Sequence, residues 1–220
     1  MPYAPTALRA AIIDLDGTMI DTLGDFDVAL NATLRELALP GVDRAFIAHT
    51  VGKGSEHLIR STLAHVGGDA SLYDAAWAHY QRHYEAINGR HAAVFPGVAE
   101  GLQRLRRSGL VLACLTNKPG AFARDLLESK GLLGCFAMVF GGDAFERKKP
   151  DPLPLLKTCE ALGAEPARTL MIGDSRNDAA AARAAGCPVV LVTYGYNHGE
   201  PVHAVPADGY VDRLDQIVLG

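Results

Sequence analysis

From residue 98 onward the chain alternates helical and strand-like patterns over short connections, and that alternation restricts the fold more than any other feature. Helical periodicity over 98–107, 122–130, 153–162 and 178–185 interleaves with apolar runs at 111–115, 137–140, 170–172 and 189–192. Short apolar runs separated by single helices indicate parallel strands wrapped by helices. A further run, Ala10-Ala11-Ile12-Ile13, supplies a first strand. In such a doubly wound α/β sheet, ligands collect outside the carboxyl ends of the strands. The groups at those ends are residues 14–18, Thr116-Asn117-Lys118, Gly141-Gly142-Asp143 and Gly173-Asp174-Ser175. They are expected to converge.

Residues 22–92 break this pattern. Apolar spacing predicts helices over 25–39 and 71–87, and a third with Ser55 as its cap that carries Leu58, Ile59, Leu63 and Val66. The expected architecture is a Rossmann-like core of residues 1–21 and 93–220 with an all-helical cap, 22–92, inserted after the first strand. Hinges near 21–25 and 92–96 would let the cap act as a lid. A chain of 220 residues, 49% hydrophobic and 21% charged, suits one sizeable core with a smaller appended domain.

A formal net charge of -4, with Lys and Arg scattered, argues against a nucleic-acid partner. No apolar stretch approaches the ~18 residues of a membrane span, and no leader pattern opens the chain. Cys114, Cys135, Cys159 and Cys187 form no C-x-x-C pair and read as reduced thiols packed as small hydrophobes. The expectation is a cytoplasmic protein, monomer or small homo-oligomer, acting on a small molecule without nucleic acid or membrane.

The stretch IIDLDGTMID places Asp14 and Asp16 on either side of Leu15 at the end of the first strand. Both carboxylates should emerge on one side. Such a pair repels itself and resists desolvation unless a cation or a proton intervenes. It reads either as a functional pair or as one helix cap beside one solvated aspartate.

Four separated pieces bear on that choice: DLDGT at 14–18, LTN at 115–117, KKPDP at 148–152 and GDSRND at 173–178. In this order they resemble the haloacid dehalogenase superfamily of phosphatases, with the cap inserted after the first motif. The resemblance implies that Asp14 is the nucleophile that forms an aspartyl phosphate and that Asp16 is the general acid and base. It implies Mg²⁺ held by the Asp14 carboxylate, the Asp16 backbone carbonyl and the Asp174 carboxylate. Asp178 would stand behind them, holding a metal water or orienting Lys149. Thr18, Thr116 and Asn117 would bind phosphoryl oxygens while Lys149 offsets their charge. Lys148 competes for that role, but the lysine directly before Pro150 matches the motif.

Residues 173–200, with G-C-P and T-Y-G-Y-N after the fourth motif, are similar to bacterial phosphoglycolate phosphatases, as is VGKGS at 51–55. That implies hydrolysis of 2-phosphoglycolate to glycolate and phosphate. Lys53 then reads either as the cap residue that binds the substrate carboxylate or as an exposed loop lysine. A nucleotide P-loop is excluded because it needs glycine at Ile47 and a hydroxyl residue at Gly54. His79 and His83 lie one helical turn apart without a following glutamate, which suits a solvated helix face better than a metal clamp. Tyr194, Tyr196 and Asn197 either pack a closing loop or touch substrate.

Rival activities follow from the same motifs. A dehalogenase has no use for an acid at Asp16. A phosphomutase acting on sugar phosphates would return the phosphoryl group to its substrate. A non-catalytic binding protein should have lost one of Asp14, Asp16, Thr116, Lys149 or Asp174, and all are present.

Overall fold

The computed structural model describes residues 7–219. The chain forms strands β1 (Ala10–Ile13), β2 (Ile20–Asp21), β3 (Ala93–Val94), β4 (Val111–Leu115), β5 (Met138–Phe140), β6 (Thr169–Gly173), β7 (Val189–Val192) and β8 (Gly209–Val211). Six of them make one parallel sheet in the order β5-β4-β1-β6-β7-β8. The central β1 sets Ile13 opposite Cys114 of β4 and Ile172 of β6. Its side chains alternate between two cores, as a strand covered on both faces requires. Ala11, Ile13 and Leu15 join one cluster and Ile12 the other.

Helices α1 (Leu23–Glu36), α2 (Arg44–Thr50), α3 (Ser55–His65) and α4 (Tyr73–Ile87) follow β2 and pack around a third apolar cluster that includes Phe26, Leu30, Ile47, Leu58 and Tyr84. Helices α5 (Val98–Arg107), α6 (Gly120–Ser129), α7 (Leu153–Leu162) and α8 (Arg176–Ala185) cover the sheet. All four cysteines are free thiols, and Cys114, Cys159 and Cys187 are buried.

Some elements depart from the sequence reading for identifiable reasons. The short helix α2 has too few turns for a periodicity signal, yet Asp43 starts it by accepting the Phe46 N–H at 2.8 Å. Gly54, not Ser55, occupies the cap of α3, so Ser55 is the first helical residue. Strand β8 is three residues long and owes its form to pairing with β7. His79 and His83 do not form a solvated face: Nδ1 of His79 and Nε2 of His83 lie 2.6 and 2.9 Å from the Glu36 carboxylate, which ties α4 to the end of α1.

The two connections between sheet and helices run side by side. Strands β2 and β3 pair antiparallel, Ile20 with Val94 and Asp21 with Ala93. Just beyond, the fully buried Asp25 accepts the N–H groups of Gly89 and His91, each at 2.7 Å. The approach is close enough that a Cβ on Gly24 would lie 2.4 Å from the His91 carbonyl oxygen. Asp25 therefore joins the way into the helical segment to the way out.

Removing this carboxylate leaves two backbone donors without an acceptor. Asp25→Ala is expected to lower the unfolding free energy by about 2–5 kcal/mol, measured by urea denaturation. A change within about 0.5 kcal/mol would show the clasp to be dispensable.

Candidate active site

The carboxyl ends of β1, β4 and β6 bring their polar residues together. The Asp14 N–H donates to the Ile172 carbonyl at 2.9 Å, so the ladder between β1 and β6 runs one residue past β1 and sets Asp14 beside Asp174. One oxygen from each of Asp14, Asp174 and Asp178 lies within 4.8 Å of the others, and all three residues are buried. Lys149 Nζ sits among them, 2.9 Å from Asp14 Oδ1 and 2.7 Å from Asp178 Oδ1, and donates to the Leu115 carbonyl at 2.9 Å. Lys148 is exposed.

Asp178 is already occupied. Its Oδ2 accepts the N–H of Asp174 and of Ser175, both at 3.2 Å, and the Ser175 hydroxyl at 2.8 Å, while Oδ1 takes Lys149. This carboxylate, in the first turn of α8, thus holds the backbone of Asp174 with one oxygen and Lys149 with the other. Gly17 completes the wall: its φ is +81° and a Cβ there would lie 2.5 Å from Asp174 Oδ2. Any other residue there would be strained and would displace that carboxylate.

Three buried carboxylates against one ammonium leave an excess of negative charge. Burial pushes the Asp14 carboxyl up to about 7, although Lys149 pulls the other way. Asp174 is raised well above its ordinary value by burial, then by Asp178 and Asp14. For Lys149 burial acts downward, but Asp14 and Asp178 outweigh it and its pKa is raised. Asp14 Oδ1, despite the nearby ammonium, has no well-directed hydrogen bond and is buried. A divalent cation would balance the charge and satisfy that oxygen. All the donors are oxygens, which suits a hard ion.

Asp16 turns toward the helical segment. Its Oδ1 accepts Lys118 Nζ at 2.9 Å and the Thr22 hydroxyl at 2.8 Å. Lys118 is buried, donates to the Tyr84 hydroxyl at 2.6 Å, and stands 4.6 and 4.7 Å from the ring centroids of Phe26 and Tyr84. Sequence reasoning placed Lys118 at a strand end and assigned it nothing. The available signal was its position directly after Thr116 and Asn117; the partner on α4, thirty-four positions away in the chain, had no local trace.

The remaining expected residues divide. Thr116 lines the cavity between sheet and helices with Asp14, Asp16 and Asn117. The Asn117 side chain does structural work, donating to the carbonyls of Lys149 at 2.8 Å and Gly52 at 2.9 Å and accepting the Lys149 N–H at 3.0 Å. Thr18 departs from expectation: the tight turn after β1 buries it, and its hydroxyl donates to Asp174 Oδ1 at 3.2 Å, so it orients that carboxylate and does not line the cavity. Lys53 is exposed and outside the lining. Its charge, after burial, helps hold the imidazoles of His57 and His198 below their usual range.

The Tyr194-to-Asn197 loop braces the site. The Tyr196 N–H donates to Asp174 Oδ2 at 2.7 Å, and its hydroxyl accepts the Thr22 N–H at 2.7 Å and donates to Asp21 at 2.9 Å. The Tyr194 hydroxyl donates to the Thr18 carbonyl at 2.7 Å, and Asn197 Oδ1 accepts the Arg176 N–H at 2.9 Å. The cavity itself is narrow, with about 20 Å³ of free space.

Two carboxylates from the end of one strand and a buried lysine line one cavity, beside a cluster of three buried aspartates. The sequence profile of haloacid dehalogenase-like hydrolases matches residues 11–192, and the chain belongs to that family. Among its relatives, a protein of Thiobacillus denitrificans named phosphoglycolate phosphatase is 42% identical over 222 residues, spanning 100% of this chain and 98% of that protein. One of the same name from Nitrosospira multiformis is 43% identical over 215 residues, 96% of this chain and 95% of its own. In three dimensions a protein of Haemophilus somnus, described as a predicted phosphoglycolate phosphatase, superposes with a TM-score of 0.89 at 28% identity, covering 94% of this chain and 95% of its own. No helix among the described residues is long and apolar enough to cross a membrane.

The charge excess makes a pH prediction. With Asp14 raised from 3.8 to about 7, the folded protein holds a proton in that window that the unfolded chain has released. Stability of the metal-free protein therefore falls as pH rises through the window, by up to about 1.4 kcal/mol per pH unit for this group. A divalent cation binds the ionised form and competes with the proton. In thermal melts, the protein in chelator is expected to melt lower at about pH 8 than at about pH 5.5. Adding Mg²⁺ should raise Tm more at the higher pH. Equal Mg²⁺ shifts at both pH values would remove the cluster as a metal centre.

Proposed function

We propose that this protein is a Mg²⁺-dependent phosphatase that hydrolyses 2-phosphoglycolate to glycolate and phosphate. The observation that carries the reading is Asp14, packed against Asp174 and Lys149 on one side and lining with Asp16 a small cavity between the sheet core, 1–21 and 93–220, and a helical cap, 22–92. The substrate follows the relatives of that name, about two-fifths identical over essentially the whole chain. Free, buried thiols support a reducing compartment such as the cytoplasm.

In this reading Asp14 attacks phosphorus and the bond from phosphorus to the glycolate oxygen breaks. Asp16 gives a proton to the departing alkoxide. Water then attacks the aspartyl phosphate, Asp16 takes the proton back, and phosphate leaves with the Asp14 carboxylate regenerated. The Asp14 and Asp174 carboxylates with the Asp16 carbonyl would hold Mg²⁺, which offsets the charge of the phosphate dianion. Lys149, fixed by Asp178 and Leu115, adds a second positive group against the same charge. Thr116 and the Asn117 backbone would bind the phosphoryl oxygens from the end of β4.

Phosphate release should be measured across 2-phosphoglycolate, sugar phosphates, nucleotides and pyrophosphate, for wild type and Asp14→Asn. The expected outcome is highest kcat/KM for 2-phosphoglycolate with Mg²⁺, and loss of roughly four orders of magnitude in Asp14→Asn. A flat profile would remove the substrate, and an active Asp14→Asn enzyme would remove the nucleophile.

A further inference from the structure

The core motifs account for a phosphoryl group but leave open what recognises the rest of the substrate. We infer that Lys118 is the specificity residue, its ammonium binding a carboxylate on the leaving group; this deepens, and rests on, the phosphoglycolate reading.

Position is the first argument. Among the described residues that line the cavity, Lys118 is the one cation. It is hydrogen-bonded at 2.9 Å to Asp16, the carboxylate assigned to the leaving oxygen. In phosphoglycolate a single methylene separates that oxygen from the carboxylate carbon. A substrate whose ester oxygen meets Asp16 therefore carries its second anion into the reach of Lys118 Nζ. Lys53 is exposed and absent from the cavity wall.

Environment is the second. The Lys118 side chain is 3% exposed and runs between the aromatic rings of Phe26 and Tyr84, with Leu58 and Phe122 completing an apolar wall. A charge pair formed there is screened far less than one at the surface. The Tyr84 hydroxyl, 2.6 Å from Nζ, fixes the ammonium from the cap side. A substrate with a methyl group in place of the carboxylate would set apolar atoms against a buried cation and gain no compensating bond. The wall thus disfavours the wrong ester as well as favouring the right one.

A purely structural alternative is that Lys118 only positions Asp16. The two differ in what the substrate must carry. Wild type, Lys118→Met and Lys118→Arg should be compared on 2-phosphoglycolate, 2-phospholactate and ethyl phosphate, the last being phosphoglycolate with a methyl group for its carboxylate. The inference expects the ratio of kcat/KM between phosphoglycolate and ethyl phosphate to fall about 10- to 100-fold in Lys118→Met, chiefly through KM, with partial recovery in Lys118→Arg. An unchanged ratio, with both esters slowed alike in kcat, would make Lys118 a positioning residue and overturn the inference while leaving the phosphatase reading intact. A wild type that favours another carboxylate ester, a preference lost in Lys118→Met, would support Lys118 and overturn phosphoglycolate. A wild type indifferent to the carboxylate overturns both. Should Lys118→Met fail to fold, a crystal structure of wild type with 3-phosphonopropionate decides: its carboxylate about 3 Å from Lys118 Nζ supports the inference, and its carboxylate at Lys53 or in solvent overturns it.

Discussion

The structure depends on holding three carboxylates and one lysine together in a buried cluster. Asp14, Asp174 and Asp178 repel one another, and burial sharpens the repulsion. Lys149 offsets part of it by bonding Asp178 and lying against Asp14. What remains is negative potential at the end of the sheet, where the strand ladder and the first turn of α8 leave the groups no room to separate. The fold keeps a destabilising concentration of charge because a cation and a phosphoryl group can resolve it. Strain of this kind belongs to binding, and the two apolar cores of the sheet supply the stability that sustains it.

Around that centre, each supporting contact joins parts of the chain that the site needs in register. The carbonyl of Gly52, in the helical segment, accepts hydrogen bonds from Asn117 at 2.9 Å and Asn177 at 3.3 Å, which follow β4 and β6. Tyr196 links Asp174 to the connection between β2 and α1 through Asp21 and Thr22. Thr22 in turn bonds Asp16. The helical segment is therefore joined to Asp16 and to Asp174 through two or three hydrogen bonds. Helix α4 carries Tyr84 to Lys118, so the cavity is shaped by the helical segment and the sheet together.

Much of the core was readable because parallel strands buried on both faces leave a dense apolar signature, and because each motif sits directly after such a run. Asp14 after Ile13 and Asp174 after Gly173 are examples. Where reading failed, the determining interaction was not local. Strand β8 needs β7 to exist, α2 is too short for a period to emerge, and the histidines of α4 meet Glu36 from another helix. Thr18 was expected at a phosphate because it belongs to a motif, yet the turn after β1 points its hydroxyl to Asp174.

The sequence by itself determined the alternating architecture, the inserted helical segment and the identities of the carboxylates, because these follow from periodicity and from motifs contiguous in the chain. The tertiary structure alone decided the pairing of Asp16 with Lys118 and Tyr84, the saturation of Asp178, and the exclusion of Lys53 from the cavity. Those outcomes turn on which way a long or branched side chain points once two distant segments close on one another. Spacing along a chain specifies the backbone face of a residue. The partner it meets there is set by packing between segments that the chain brings together only on folding.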